Sequence, residues 1–308
     1  MSETTMQAIR FHDYGGPEVL VLDQVDRPQP GAGQVLVRVV AAGVNPADWK
    51  MRAGYFKAYY PLSMPSTPGM EGAGVIEAIG ADVTTFTVGQ EVYGILAGSY
   101  AGYALAGVGD IQPKPAHLSF EEAAAVPVGA LTAWSAIEAV DLQDGQKVLI
   151  HGAAGGVGAY AVQLARLKGA HVIGTASAKN VDYVRALGVE TVLDYSIAPF
   201  ESLVSGLDAV IDTVGGDLAE RSFKVLRQGG VYVTVAGRLA PDAGKAEGIR
   251  AVSASRATHE KLVPISALLK SNELVPVVGK VFPLEQARQA HEMSATGHGR
   301  GRILLKIG

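Results

Sequence analysis

An apolar run, Val148-Leu149-Ile150, ends in the glycine-rich segment Gly152-Ala-Ala-Gly-Gly-Val-Gly158, and a helix-patterned stretch follows at once. From Val157 to Lys168 apolar residues recur at helical spacing (Val157, Ala161, Leu164). Gly169 stops the pattern before a second apolar run, His171-Val-Ile-Gly-Thr175. Strand, glycine-rich turn, helix and strand in that order predict a βαβ unit of a parallel sheet. A dinucleotide pyrophosphate needs backbone N–H groups at a helix N-terminus with no side chain in the way. Gly155 would let the backbone approach the phosphates, and Gly158 would let the helix pack closely on its strand. Ala153 stands where the usual pattern has its first glycine, and it is small enough to fit at negative φ. Without a ligand the same segment is simply a tight strand-to-helix turn.

The residues after the second apolar run choose between dinucleotides. An NAD site places Asp or Glu at the end of this strand, roughly 20 residues past the glycines, to hold the ribose 2′-OH. Here the window reads Thr175-Ala-Ser-Ala-Lys-Asn180 and holds no acid. Ser177 offers a hydroxyl and Lys179 a cation, and a phosphate is attracted by lysine where aspartate would repel it. The expected cofactor is NADPH. The plainer reading is an exposed lysine beside a helix cap, with Ser177 or Asn180 opening the stretch Val181-Asp-Tyr-Val-Arg-Ala-Leu187.

Composition narrows the remaining classes. A chain of 308 residues has room for two domains with cores of their own. It contains no cysteine, which excludes disulfides, thiolate metal sites and a cysteine nucleophile. None of the seven histidines is spaced i, i+4 from another, as a helical zinc motif requires. A net charge of −4 gives no basic footprint for nucleic acid. No apolar run reaches the roughly 18 residues of a membrane span. The segment Met1-Ser-Glu-Thr-Thr-Met6 lacks an apolar signal core, so a cytoplasmic location is expected.

The chain changes character near Ser119. Before it, short β-branched runs at 19–22, 34–40, 74–79 and 90–96 alternate with Gly and Pro clusters, as in a barrel-like β domain, and a short helix is expected over Pro46–Arg52. Ser119-Phe-Glu-Glu122 reads as a capping box opening an Ala-rich helical stretch to about Val140, interrupted near Pro127. Strands are then expected at 147–151, 171–175, 190–194, 208–213 and 231–235, with helices at 157–168, 180–187 and 217–227. The tail predicts a helix over His259–Leu269, a strand near Val277–Phe282, a helix over Leu284–Met293 and a terminal strand at 302–307. Pattern alone leaves open whether this tail extends the parallel sheet or returns to the first domain.

Taken in order, these segments resemble the medium-chain dehydrogenase/reductase superfamily over essentially the whole chain. Supporting stretches are Arg10-Phe-His-Asp-Tyr-Gly-Gly-Pro-Glu-Val-Leu20, Ala42-Gly-Val-Asn-Pro-Ala-Asp48, Pro68-Gly-Met-Glu-Gly-Ala-Gly74, Pro127 to Trp134, Asp212-Thr-Val-Gly-Gly216 and His298-Gly-Arg-Gly-Arg302. The similarity is to its zinc-free branch, the zeta-crystallin-like NADPH:quinone oxidoreductases. It implies an α/β chain: a GroES-like β-rich catalytic domain over 1–118, a doubly wound Rossmann domain over 119–262, and a return to the catalytic domain over 263–308. The active site would lie between the two. Dimers or tetramers joined through the Rossmann domain are implied, with a homodimer expected, for which the run Val231–Ala236 offers a strand near a sheet edge. Zinc members carry Cys where this chain has Asn45 and His where it has Met70. Neither replacement can take the same coordination role, so zinc Lewis-acid catalysis is not expected.

Carried over residue by residue, the resemblance places Asn45 and Thr132 near the nicotinamide. It places Ala153, Gly155, Gly156, Val157 and Gly158 at the pyrophosphate, and Ser177 and Lys179 at the 2′-phosphate. Tyr195 would stack near adenine or reach that phosphate. Val214, Ala236 and Gly237 follow later strands at the carboxyl edge, where such sheets bind ligands. Hydride would pass to a quinone or to the β-carbon of an α,β-unsaturated carbonyl. Tyr55, ahead of Tyr59 and Tyr60, is the candidate to hydrogen-bond the acceptor and supply a proton; alternatively these aromatics only line the pocket. Asp48 reads as a loop-structuring residue, Tyr100 and Tyr103 as structural, and Arg300 and Arg302 as either cofactor-facing or surface residues. An enoyl-thioester reductase is the alternative enzyme. It needs a basic patch, for which the stretch from Arg52 to Lys57 offers two cations. A non-catalytic, crystallin-like NADPH-binding protein is the third reading.

Overall fold

The computed structural model describes residues 4–254 and 257–308; Met1–Glu3 of the polar leading segment lie outside them. Strands β1 (Thr5–Arg10) and β2 (Val21–Asp26) form an antiparallel pair. The long strand β3 (Gln34–Val44) ends at Asn45, which caps α1 (Pro46–Arg52), with Pro46 in the first turn where its missing N–H costs nothing. Next come β4 (Glu71–Ile79), β5 (Glu91–Ile95), β6 (Tyr103–Gly107) and β7 (Ile111–Pro113). The Ser119–Glu122 capping box forms as expected and opens α2 (Phe120–Ala124), and α3 (Pro127–Val140) restarts at the interrupting proline.

The alternating region follows: β8 (Lys147–His151), α4 (Gly158–Leu167), β9 (His171–Ala176), α5 (Val181–Ala186), β10 (Thr191–Asp194), β11 (Leu207–Asp212), α6 (Leu218–Phe223), β12 (Leu226–Thr234) and β13 (Arg250–Ser253). Its six strands run parallel in the order β10-β9-β8-β11-β12-β13. The order reverses beside β8, so the carboxyl ends of β8 and β11 flank the crevice where sheets of this kind take ligands.

Two expectations change here. The helix expected over 217–227 stops at Phe223, because Leu226 pairs with Leu207 and Gly229, at φ +73, lies in a conformation no helix continues through. The strand at 231–235 begins at Leu226 and is no edge: β11 covers one side and β13 the other. The edge falls to β13, four residues too few to show a period.

The chain ends with α7 (Leu262–Lys270), β14 (Val278–Pro283), α8 (Ala287–Ala295) and β15 (Arg302–Lys306). β15 lies antiparallel to β3 and β14 joins it, giving a seven-stranded sheet in the order β14-β15-β3-β4-β5-β7, with β6 also on β3. The tail therefore returns to the first sheet. One buried cluster crosses between the two sheets: Tyr93 and Leu304 from the first, Val148 and Ile150 from the second, and α3 and α7 between. The Tyr93 hydroxyl meets Ser266 Oγ at 2.5 Å, joining β5 to α7 within that core. No helix of the described residues is long and apolar enough to cross a membrane.

Candidate functional site

The glycine-rich turn leaves β8 through Gly152, whose φ of +69 reverses the chain. Its N–H donates to Thr175 Oγ1 at 3.2 Å, and the Ala153 N–H donates to the Thr175 carbonyl at 3.1 Å, tying the turn to β9. A Cβ on Gly158 would overlap the Gly152 carbonyl oxygen and sit 3.0 Å from Ala153 Cα. Gly158 is thus required for helix–strand contact, as the sequence argument held. A Cβ on Gly156 would lie 2.8 Å from Arg302 Cδ and 3.3 Å from its Nη1, so this glycine admits the tail arginine beside the turn. The N–H groups of Gly156, Val157 and Gly158 have no acceptor among the described residues and stand at the first turn of α4. A small-residue cradle, unpaired N–H donors and a helix N-terminus fit a pyrophosphate.

At the end of β9 the fold gathers the second group of expected residues. Ala176 pairs with Asp194 in β10, and the Tyr195 N–H donates to the Ala176 carbonyl at 3.3 Å, which sets Tyr195 beside Ser177. Asn180 Nδ2 donates to Ser177 Oγ at 3.2 Å, and Lys179 is exposed. The neighbouring acid, Asp194, is turned onto Ser196, accepting from its N–H and its hydroxyl. Further along the edge, buried Asp212 accepts from the N–H groups of Val214 (2.8 Å) and Gly215 (3.0 Å) and from the Tyr232 hydroxyl (2.6 Å). This shapes the loop that carries Val214. A Cβ on Gly215 would come within 3.2 Å of the Ala236 Cβ, so the loop carrying Val214 packs beside Ala236, with exposed Gly237 next to it.

A buried polar knot joins β3, β4 and β15 of the first sheet to the start of α3. Asn45 Nδ2 donates to Glu71 Oε1 at 2.8 Å, Arg302 Nη2 donates to Asn45 Oδ1 at 2.9 Å, and Arg302 and Glu71 form a close ion pair. Glu71 Oε2 accepts from the Val128 N–H at 2.6 Å, at the positive end of α3. Sequence reasoning found Asn45 but did not single out Glu71, whose signal was an acid at the head of the otherwise apolar run Gly72–Ile76. It also left Arg302 undecided between cofactor and surface; at 4 % side-chain exposure Arg302 is interior. Thr132, four residues into the same helix from Val128, spends its hydroxyl proton on the Val128 carbonyl at 2.7 Å.

Tyr55 stands away from this knot. It is 67 % exposed, edge-on to Trp49 with ring centres 5.6 Å apart, and Tyr59 and Tyr60 are more exposed still. Arg52, counted among the cations of this stretch, is buried against His291, with Nη1 3.5 Å from Nδ1, so of the two only Lys57 faces solvent. Among the described residues no three His, Asp or Glu side chains are grouped to hold a metal ion.

Asp48 has the structural role expected of it. It is buried and accepts from the Asn45 N–H at 2.7 Å and the Tyr100 hydroxyl at 3.1 Å, completing the cap of α1. Burial lifts its carboxyl from 3.8 to about 7, and those hydrogen bonds oppose the lift only in part. A carboxyl that holds its proton more tightly when folded contributes stability below its unfolded value, and that contribution is lost as pH rises through about 7. His151 and His291 act in the opposite sense. Burial pushes them down to about 4 and about 3, so their contribution is lost as pH falls below the ordinary 6.5. Comparing wild type with Asp48→Asn cancels the histidines. From pH 4 to pH 8, urea unfolding should show wild type losing on the order of a few kcal/mol relative to the variant. A pH-independent difference would mean that Asp48 titrates normally.

Comparison with known proteins agrees with this architecture. Residues 31–136 match the alcohol dehydrogenase GroES-like domain and residues 187–305 the zinc-binding dehydrogenase family. A quinone oxidoreductase of Mus musculus is 35 % identical over 98 % of this chain and 98 % of its own. A 2-methylene-furan-3-one reductase of Solanum lycopersicum is 33 % identical over 97 % of this chain and 79 % of its own. The solved structure of a quinone oxidoreductase from Coxiella burnetii superposes with a TM-score of 0.92 at 35 % identity, covering 99 % of this chain and all of that one. With β-rich and Rossmann units joined in this order, and relatives this similar over nearly the whole length, the chain belongs to the medium-chain dehydrogenase/reductase family and groups with its quinone oxidoreductases.

Proposed function

We propose that the protein is a zinc-independent, NADPH-dependent reductase of quinones or α,β-unsaturated carbonyls. The observation that carries the cofactor reading is the edge of the parallel sheet. N–H groups without an acceptor among the described residues open α4, Tyr195 is tied to Ala176 beside Ser177 and Lys179, and the stretch Thr175–Asn180 after β9 carries no acid. The acceptor class rests on the relatives, which reduce, by their names, quinones and an exocyclic enone. The bound nicotinamide supplies the hydride.

This chain's residues do the remaining work. The N–H groups of Gly156, Val157 and Gly158 bind the pyrophosphate, with Ala153 and Gly155 keeping the approach clear. Ser177 and Lys179 hold the 2′-phosphate, and Tyr195, Val214, Ala236 and Gly237 border the adenine and ribose side. Asn45 and Thr132 orient the nicotinamide end. Tyr55 donates a hydrogen bond, and then a proton, to the acceptor oxygen. We assign 1–118 and 263–308 to the acceptor side and 119–262 to the cofactor side, in a cytoplasmic homodimer. With Arg52 buried, Lys57 is the one exposed cation of the stretch Arg52–Lys57, which weighs against an enoyl-thioester substrate.

The test is a titration with NADPH and NADH followed by oxidation assays with 1,4-quinones and enones. NADPH should bind the more tightly, and Lys179→Ala should weaken it about tenfold while hardly moving NADH. Equal affinities would sink the 2′-phosphate assignment. Binding without turnover on any acceptor would turn the reading to a non-catalytic NADPH-binding protein.

A further inference from the structure

We infer that Arg300, in the tail and 121 residues from Lys179 in sequence, is a further residue selecting the phosphorylated cofactor. The inference rests on the cofactor reading above and adds a second cation from a different part of the chain. The segment before β15 is fixed on both sides of this arginine. On one side the Gly301 N–H donates to the Ala154 carbonyl at 2.8 Å, and Gly301 bridges to Gly155, within the pyrophosphate turn. On the other, Asn180 Nδ2 lies 3.5 Å from the Gly299 carbonyl while donating to Ser177 Oγ at 3.2 Å. Residue 300 is therefore held between the turn expected to take the pyrophosphate and the strand end expected to take the 2′-phosphate.

The backbone can follow this path because Gly299 and Gly301 both have positive φ, +144 and +63. A side chain at 301 would also run into Val277 and Gly279. The Arg300 guanidinium lies 5.4 Å from the centre of the Tyr183 ring, on the helix that begins just after Lys179 and Asn180. The side chain is exposed and makes no ion pair among the described residues, so its charge is not neutralised. A guanidinium resting on an aromatic face keeps its N–H fork available, and that fork matches phosphate oxygens better than an ammonium does. Lys179 and Arg300 would then grip one phosphate from two directions, while an unphosphorylated ribose would meet two cations and no charge to balance them.

Binding of NADPH, NADH and adenosine 2′,5′-bisphosphate is measured by fluorescence or calorimetry on wild type, Arg300→Ala and Arg300→Lys, with thermal unfolding as a check on folding. Arg300→Ala should weaken NADPH and the bisphosphate roughly ten- to hundredfold. NADH should change by less than about twofold, and Arg300→Lys should fall between. If wild type prefers NADPH and Arg300→Ala keeps that preference undiminished, the role of Arg300 is overturned while the cofactor reading stands. An equal weakening of NADPH and NADH would likewise overturn it, marking Arg300 as a support of the turn. If wild type binds both dinucleotides equally, the cofactor reading fails and this inference with it.

Discussion

Glu71→Ala is expected to cost about 3–5 kcal/mol of stability, because it strands the buried Arg302 guanidinium without its counter-charge. The loss is larger than that of an ordinary hydrogen bond for two reasons. Both members are almost completely inside, and Glu71 also serves the Asn45 amide and the Val128 N–H, so three donors lose their acceptor together. The measurement is urea unfolding of wild type, Glu71→Ala, Arg302→Met and the double variant Glu71→Met/Arg302→Met. The double variant should be more stable than either single one, since removing both charges leaves neither unpaired. A cost below about 1 kcal/mol for Glu71→Ala would show that water reaches the pair in solution. Loss of cofactor affinity should accompany the single changes, because Arg302 packs against Gly156 in the turn.

Gly158→Ala is expected to damage both folding and cofactor binding. The new methyl would collide with backbone at Gly152 and Ala153, which cannot rotate away as a side chain could. Helix α4 must shift outward from β8, at a cost of about 1–3 kcal/mol. The same shift moves the N–H groups at its start, so NADPH affinity should fall by about tenfold or more. Gly155→Ala separates the two effects. Its Cβ would meet only the Gly152 carbonyl oxygen, at 3.2 Å, and otherwise enters open space at the mouth of the turn. It should unfold near the wild-type temperature yet bind cofactor poorly. A Gly158→Ala protein as stable as wild type would refute the close-packing argument.

The parts legible from sequence are those whose information is local. The strand–turn–helix around Gly155 could be read because spacing, glycine positions and flanking apolar runs all lie within one short stretch. The capping box at Ser119 and the proline start of α1 were legible for the same reason. Boundaries failed where partner strands decided them. Leu226 became a strand residue by pairing with Leu207, and β13 exists because β12 offers it an edge.

The candidate site divides along the same line. Ser177, Lys179 and Tyr195 were expected at the cofactor, but their juxtaposition comes from the register of β9 with β10. Glu71 escaped notice because its meaning lies in partners far along the chain: Asn45 is 26 residues away and Arg302 is 231. Composition alone removed every thiolate chemistry, and the glycine spacing set between an apolar run and a helix-patterned stretch predicted a phosphate-binding turn. Only the return of the tail onto β3 brought Arg302 under that turn and Arg300 beside Tyr183. Sequence by itself determined which short segments could form and which chemistries were absent, because backbone sterics and side-chain inventory act locally. The tertiary structure decided which distant charges are buried together, because that depends on strand pairing and burial, which no local pattern encodes.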